Sequence, residues 1–308
     1  MLKIKPIYNS RINCLDNIIA NIAANENSSY QLALSDSWNL EYNNNLGETI
    51  GKKIGVNSVI NFKNLYKLHG IQTIPIEMPM DTNYLISDWN NRIYYCANVD
   101  TYNCQWDKCY NVHHNLHSII VEKINIYENS VYITDPFYGI YMKNISFTDY
   151  NNMVKSGFIF YICNRNSADL QIVKDIIKQR MLKLETEIEN ISLIMKAIAK
   201  INIKKEINNE RNVWHSEIVY KVGRISLSRT RYIEFLDYIV VTYGMLLNSQ
   251  IKQLYYVSKQ WKSIQMFLAK IFLKNDANEI NYITDKLRMI QDIENNVRIQ
   301  ISNIINSF

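Results

Sequence analysis

Hydrophobic spacing along this chain changes character near residue 164. Before that point, short periodic stretches follow one another. The run NCLDNIIANIAA places Leu15, Ile18, Ile19 and Ile22 three and four residues apart, the repeat of one helical face, and predicts a helix after Asn13. A second helix is predicted near Val59–His69. The stretches IQTIPIEM (Ile71–Met78), RIYYCANVD (Arg92–Asp100), HSIIVEKI, SVYITDP, GIYMKNIS and GFIFYIC (Gly157–Cys163) are apolar or alternating over strand lengths. Pro75 has no amide hydrogen to give a ladder, so its strand is expected at a sheet edge. Strands this close in sequence, after leading helices, predict an antiparallel sheet or half-barrel in an α+β arrangement.

Beyond Asn164 the β signal fades. From Ser167 to Phe308 the apolar positions keep helical spacing, and Lys and Arg alternate with Glu and Asp between them. A bundle of four to six helices is expected. The boundary is placed in NRNSAD (Asn164–Asp169), giving a domain over 1–165 and a helical bundle domain over 166–308. The longest apolar run, FLDYIVVTYGMLL (Phe235–Leu247), is broken by Asp237 and is too short to span a bilayer. The first residues, MLKIKPIYNSRINC, lack the apolar core of a signal peptide, so no membrane association is expected.

Composition narrows this picture modestly. Hydrophobic residues are 47% and charged residues 20%, which suits a folded chain rather than a disordered one. Only 8 Gly and 4 Pro punctuate 308 residues, in keeping with long elements. The formal net charge of +5 is spread along helices beside acidic residues, not gathered into the stripe that nucleic acid requires. A plain solvated surface is the favoured reading, with an acidic protein partner as the alternative. Five cysteines, an odd number, suggest reduced thiols and a cytoplasmic setting.

One cysteine is placed for chemistry. Cys14 opens the first predicted helix, behind the good N-cap residue Asn13 and two residues before Asp16. The positive end of a helix dipole favours a thiolate there. Three of the five histidines cluster in CYNVHHNLHSIIV, at His113, His114 and His117. Cys104, Cys109, His113 and His117 have the ligand types of a zinc site, although all four fall within fourteen residues, where structural zinc usually takes two separated pairs. His113 and His114 lie in a polar loop and suit a pocket rim. His117 opens a strand whose expected hairpin partner ends in Asp135. If the connecting loop is Asn125–Glu128, His117 comes opposite Pro136 with Asp135 one step away, and the carboxylate can orient the imidazole as a base. A tighter turn at Glu128-Asn129 would set Asp135 opposite Glu122 and spoil the pairing. Both registers fit the sequence.

A helix-start Cys14, VDTYNCQWDKCYNVHHNLHSIIV and then VYITDPF resemble, as a set, the papain-like cysteine acyltransferases of the butirosin N-terminal domain group. More distantly they are similar to bacteriocin-processing cysteine peptidases. The phrase VDTY (Val99–Tyr102) and the helical segments LSRTRYIEFLDYI and YYVSKQWKSIQMFL extend the resemblance over most of the chain. It implies a papain-like domain followed by helices, with Cys14 as nucleophile, His117 as base and Asp135 as the orienting carboxylate. It also implies an activity. An acyl group passes from the phosphopantetheine thioester of an acyl or peptidyl carrier protein, through the cysteine, to an amine or diamine, with no bound cofactor. One departure stands out. Papain-like peptidases carry a Gln about six residues before the Cys as an oxyanion donor, and Tyr8 stands there here. Asn9 or Asn13 is the expected substitute. Trp38, Trp106, Tyr110 and His113 are candidates for lining the acyl pocket. The alternatives are hydrolysis by the same three residues, as a peptidase or amidase, and a zinc-stabilised binding module.

Overall fold

The computed structural model describes residues 4–57, 59–77, 92–163, 168–207, 212–276 and 278–307. In chain order its helices are α1 (Cys14–Asn25), α2 (Ile50–Lys53), α3 (Phe62–His69), α4 (Phe147–Met153), α5 (Leu170–Ile198), α6 (Ile203–Ile207), α7 (Glu217–Tyr243), α8 (Asn248–Lys274) and α9 (Ile280–Ser307). Its strands are β1 (Glu41–Tyr42), β2 (Ile54–Gly55), β3 (Ile71–Glu77), β4 (Ile93–Asp100), β5 (Leu116–Asn125), β6 (Ser130–Asp135), β7 (Ile140–Ser146) and β8 (Val154–Ile162). The fold is α+β. No helix among the described residues is long and apolar enough to cross a membrane.

The chain forms two compact units. The first comprises Met1–Ala33 and Phe62–Ser167, and the second Leu34–Asn61 and Ala168–Phe308. The expected boundary at 165/166, in a segment partly outside the described residues, lies close to the second division. The reach of the first unit needs correcting, because Leu34–Asn61 belongs with the helices. Polar ties explain it. The Trp38 carbonyl accepts from the buried Arg180 guanidinium, and the Asn39 carbonyl accepts from Arg229 Nη1 at 2.9 Å. The Leu40 carbonyl accepts from Asn190 Nδ2 at 3.0 Å. Each of these carbonyls would be costly to bury without a donor.

In the helical unit, α7 packs on α8, and α9 packs on both α5 and α8. At its centre Glu294 is 0% exposed. Its carboxylate receives Arg229 Nε and Nη2 at 2.9 and 2.8 Å, Trp38 Nε1 at 2.9 Å and Trp261 Nε1 at 3.1 Å. Glu294→Ala would leave the Arg229 cation buried and uncompensated. The expected cost is about 3–5 kcal/mol, read as a lower urea midpoint for loss of helical signal.

In the first unit six antiparallel strands run in the order β3-β8-β4-β5-β6-β7. Among the described residues Pro75 sits on an edge strand, since β3 pairs there with β8 alone. One face of the sheet carries Ile93, Tyr95, Ala97, Val99, Ile119, Val121, Ile124, Val131 and Ile133 into a shared apolar core. Each such side chain contributes about 1.5–3 kcal/mol when fully buried. Helix α1 packs against β5. Two of its buried asparagines hold the preceding segment as a neighbouring strand would. Asn21 accepts from and donates to the Ile7 backbone, both at 2.8 Å, and Asn17 does the same to Asn9 at 2.8 and 3.0 Å.

The β5–β6 hairpin differs from both expected registers. Asn125 faces Ser130, so the loop is Ile126–Asn129, one residue later than expected, with Asn129 in the left-handed region at φ 47°. Between Val121 and Lys123 the register shifts by one, which makes Glu122 the extra residue of a β-bulge. Glu122 is buried, and its Oε1 accepts from the Ile4 amide at 3.4 Å. Burial pushes its carboxyl up to about 7, against the opposing pull of Thr134 and the Ile4 amide. A folded value above the unfolded one favours the protonated form, so this contribution to stability is full below about pH 4.5 and is lost as pH rises through 7. The loss is on the order of 3 kcal/mol at about 1.36 kcal/mol per unit. Glu122→Gln is expected to flatten the fall in denaturation midpoint between acid and mildly basic pH.

Candidate active site

The position of Cys14, the candidate nucleophile, is set by a helix cap. Asn13 Oδ1 accepts from the Asp16 amide at 2.8 Å, and the Asp16 carboxylate accepts from the Asn13 amide at 3.5 Å. This reciprocal capping box starts α1 at Cys14. The half-buried thiol stands 4.0 Å from the Ser118 hydroxyl, which itself donates to Asn98 Oδ1 at 2.9 Å. His117 is near enough to lower the thiol's pKa through hydrogen bonding and charge.

The bulge at Glu122 decides whether His117 can meet Asp135. With the register of the turn carried on unbroken, Asp135 would pair with Ile120 and point to the face opposite His117. The one-residue shift pairs Ile120 with Thr134 instead. Asp135 then continues the Val131, Ile133 row, and His117 continues the Val121, Ile119 row, on the same face. They are diagonal neighbours across the strands, within reach of one another. His117 Nε2 lies 2.8 Å from Asp135 Oδ2, with the two residues 5% and 0% exposed. A carboxylate accepts only, so Nε2 carries the proton and Nδ1 is left for the thiol.

Asp135 has further donors. Trp106 Nε1 donates to the same Oδ2 at 2.8 Å, and the Phe137 and Tyr138 amides donate to Oδ1 at 3.0 and 3.3 Å. The rings of Phe137 and Tyr138 stand edge-on to the imidazole at 5.6 and 5.5 Å. Tyr8, six residues before Cys14 and exposed, stands edge-on to the Phe137 ring with centroids 5.2 Å apart.

The electrostatics single out one thiol. Burial raises Cys14, but the hydrogen bond and charge of His117 and the donors at Ser118 outweigh it, so its pKa falls below 9.0. His117 moves the other way. Burial lowers it, but Asp135 and then Cys14 favour the imidazolium and push it up to about 10. By contrast burial raises Cys96 and Cys109 and pushes Cys104 up to about 12. The geometry therefore permits a thiolate–imidazolium pair at Cys14 and disfavours thiolates at those three cysteines.

Other expectations change place. Trp38 is wholly buried in the helical unit, where its indole serves Glu294, so it lines no acyl pocket. Trp106 packs partly buried against the sheet core and spends its N–H on Asp135. Asn9 Oδ1 accepts from the Arg11 amide at 3.0 Å, and Asn13 Oδ1 caps α1, so the carbonyl ends of both side chains hold local backbone. Tyr110 is exposed, and its amide donates to Asp107. His113 shapes its loop through its backbone, donating to the Cys109 carbonyl and accepting from Thr101 Oγ1. His114 pairs with Asp100 at 2.8 Å and stacks on Tyr102. The zinc grouping is not assembled. Among the described residues no three or more His, Cys, Asp or Glu side chains are placed to hold a metal ion, and His117 is already engaged by Asp135 and Cys14. Ser118 and Asn98 escaped the sequence reading, since a Ser and an Asn inside strands carry no signature of their own.

No known protein-family model matches this chain, and no curated protein matches it at a significant level.

Alkylation of Cys14 by iodoacetamide, followed by peptide mass mapping across pH, is expected to be half-maximal below pH 9. His117→Ala should move the half-point above that value, because burial is then unopposed by the imidazolium. The rate at neutral pH should fall about tenfold per unit moved.

Proposed function

We propose that this protein is a cysteine-dependent acyltransferase that forms amide bonds. The observation that carries the reading is the buried relay from Asp135 through His117 to a thiol whose pKa is depressed. The helix that carries Cys14, packed on the antiparallel strand that carries His117, is consistent with the papain-like arrangement that the resemblance implied.

In the proposed mechanism the Cys14 thiolate attacks the carbonyl carbon of a thioester on the phosphopantetheine arm of an acyl carrier protein. The tetrahedral oxyanion is held by backbone N–H groups at the start of α1, where helix amides lack intrahelical partners. Collapse expels the pantetheine thiolate, which takes the imidazolium proton of His117, and leaves an acyl-Cys14 thioester. An amine then attacks, His117 removes its proton, and Cys14 leaves as thiolate as the amide is released. Asp135 keeps the imidazole in the required tautomer throughout. A thioester needs less activation than an amide, which suits a site with Tyr8 where a peptidase would carry Gln. The acceptor is an amine or diamine, and a cytoplasmic setting agrees with thiols kept reduced.

Intact mass of the protein incubated with an acyl-carrier thioester is expected to rise by the acyl group. The shift should vanish in Cys14→Ala and be discharged by a diamine as amide. Discharge to free acid at the same rate with or without amine would replace transfer by hydrolysis. No adduct with any acyl donor would end the acyl-enzyme reading.

A further inference from the structure

Trp106 stands in an unusual position for a residue expected to line a pocket. Its Nε1–H and His117 Nε2 converge on one oxygen, Asp135 Oδ2, each at 2.8 Å. The indole is held from several sides. Its ring packs against the sheet core, and Lys143 Nζ lies 4.8 Å over its face. The turn that carries it is closed by the Asp107 amide on the Cys104 carbonyl at 2.9 Å. The next side chain, Asp107, accepts from Tyr138 Oη at 2.9 Å and from the Cys109 amide at 2.7 Å. Tyr138 in turn donates its own amide to Asp135 Oδ1. The Trp106 turn and the segment after Asp135 are thus locked to each other at two points.

A buried carboxylate bound only through Oδ1 could still swing its second oxygen. The indole N–H removes that freedom, and it is the one side-chain donor besides the imidazole described on Oδ2. A cation over the ring face draws electron density from the indole and strengthens its N–H as a donor.

We propose that Trp106 is a positioning residue: by fixing Asp135 Oδ2 it aims His117 at Cys14, and so sets the fraction of Cys14 that is thiolate near neutral pH. The proposal rests on the Cys14, His117, Asp135 reading and adds to it a residue outside those three, with Lys143 as its modulator.

The test needs no substrate. Trp106→Phe keeps an aromatic ring against the core and removes the N–H donor, at the cost of some ring volume. The pH profile of Cys14 alkylation by iodoacetamide is compared with that of the parent protein, with circular dichroism as the check on folding. The half-point is expected to rise by about one pH unit, a tenfold loss of rate on the acid side. The plateau rate at high pH should match the parent, since the thiol itself is untouched. A merely structural Trp106 would lower the unfolding temperature and leave the half-point in place, and that result overturns the proposal. If Trp106→Phe does not fold, Lys143→Met on the half-buried β7 position serves instead. It is expected to move the half-point the same way by a smaller amount, and an unmoved half-point again overturns the proposal. A parent half-point at the ordinary thiol value would overturn the thiolate pair itself and this proposal with it. A low parent half-point unmoved by either variant removes Trp106 alone.

Discussion

One extra residue in β5 decides what the rest of this site can do. A strand presents its side chains to two faces with a strict period of two, so any odd change of register exchanges the faces. The hairpin loop Ile126–Asn129 starts β5 and β6 in a pairing that would send His117 and Asp135 to opposite sides of the sheet. Glu122 absorbs one residue, and from Val121 onward the two rows agree. The bulge is itself held by burial and by the Ile4 amide. Its carboxyl prefers to be protonated, a cost the fold accepts at neutral pH. A local irregularity that costs stability is thus what allows the imidazole and the carboxylate to meet.

Two buried carboxylates in this chain are treated alike and differ in what they can do. Asp135 and Glu294 are both 0% exposed, and both accept from indole N–H groups. Glu294 is paired with Arg229, which cannot give up its proton in a protein, so that pair can hold helices and the Trp38–Asn39 segment but cannot pass a proton on. Asp135 is matched instead to an imidazole, which has a second nitrogen and a proton that can move. The partner, rather than the burial, decides whether such a carboxylate faces a group that can pass a proton on.

Much of this was legible in sequence where periodicity or a short motif carries it. Leu15, Ile18, Ile19 and Ile22 mark α1, Asn13 and Asp16 mark its cap, and Pro75 marks an edge strand. The pairing of His117 with Asp135 was legible only as a possibility, because a β-bulge has no reliable sequence signal and the register turns on it. Trp38 and Trp106 show a second limit. Both read as large aromatics near a site, yet their roles are set by the acceptor each indole finds, Glu294 for one and Asp135 for the other. Those acceptors lie far along the chain, and no local pattern links them. The transfer of Leu34–Asn61 to the helical unit was hidden for the same reason, since it rests on backbone carbonyls meeting Arg180, Asn190 and Arg229.

The thiol chemistry depends on an opposition between burial and charge that only the folded chain resolves. Burial alone makes thiolates unfavourable here, as Cys96, Cys104 and Cys109 illustrate. Cys14 feels that same penalty at the start of α1. The reversal comes chiefly from His117, whose own preference for the cation comes from Asp135. Cys14 and His117 are separated by about a hundred residues, and Asp135 reaches His117 only across a bulged hairpin. In the unfolded chain no imidazolium stands beside the thiol, and Cys14 has an ordinary value. The lowered pKa of Cys14 is therefore a property of the assembled sheet. Loss of His117, or of the carboxylate that favours its cation, lowers the thiolate fraction near neutral pH while leaving the sulfur in place.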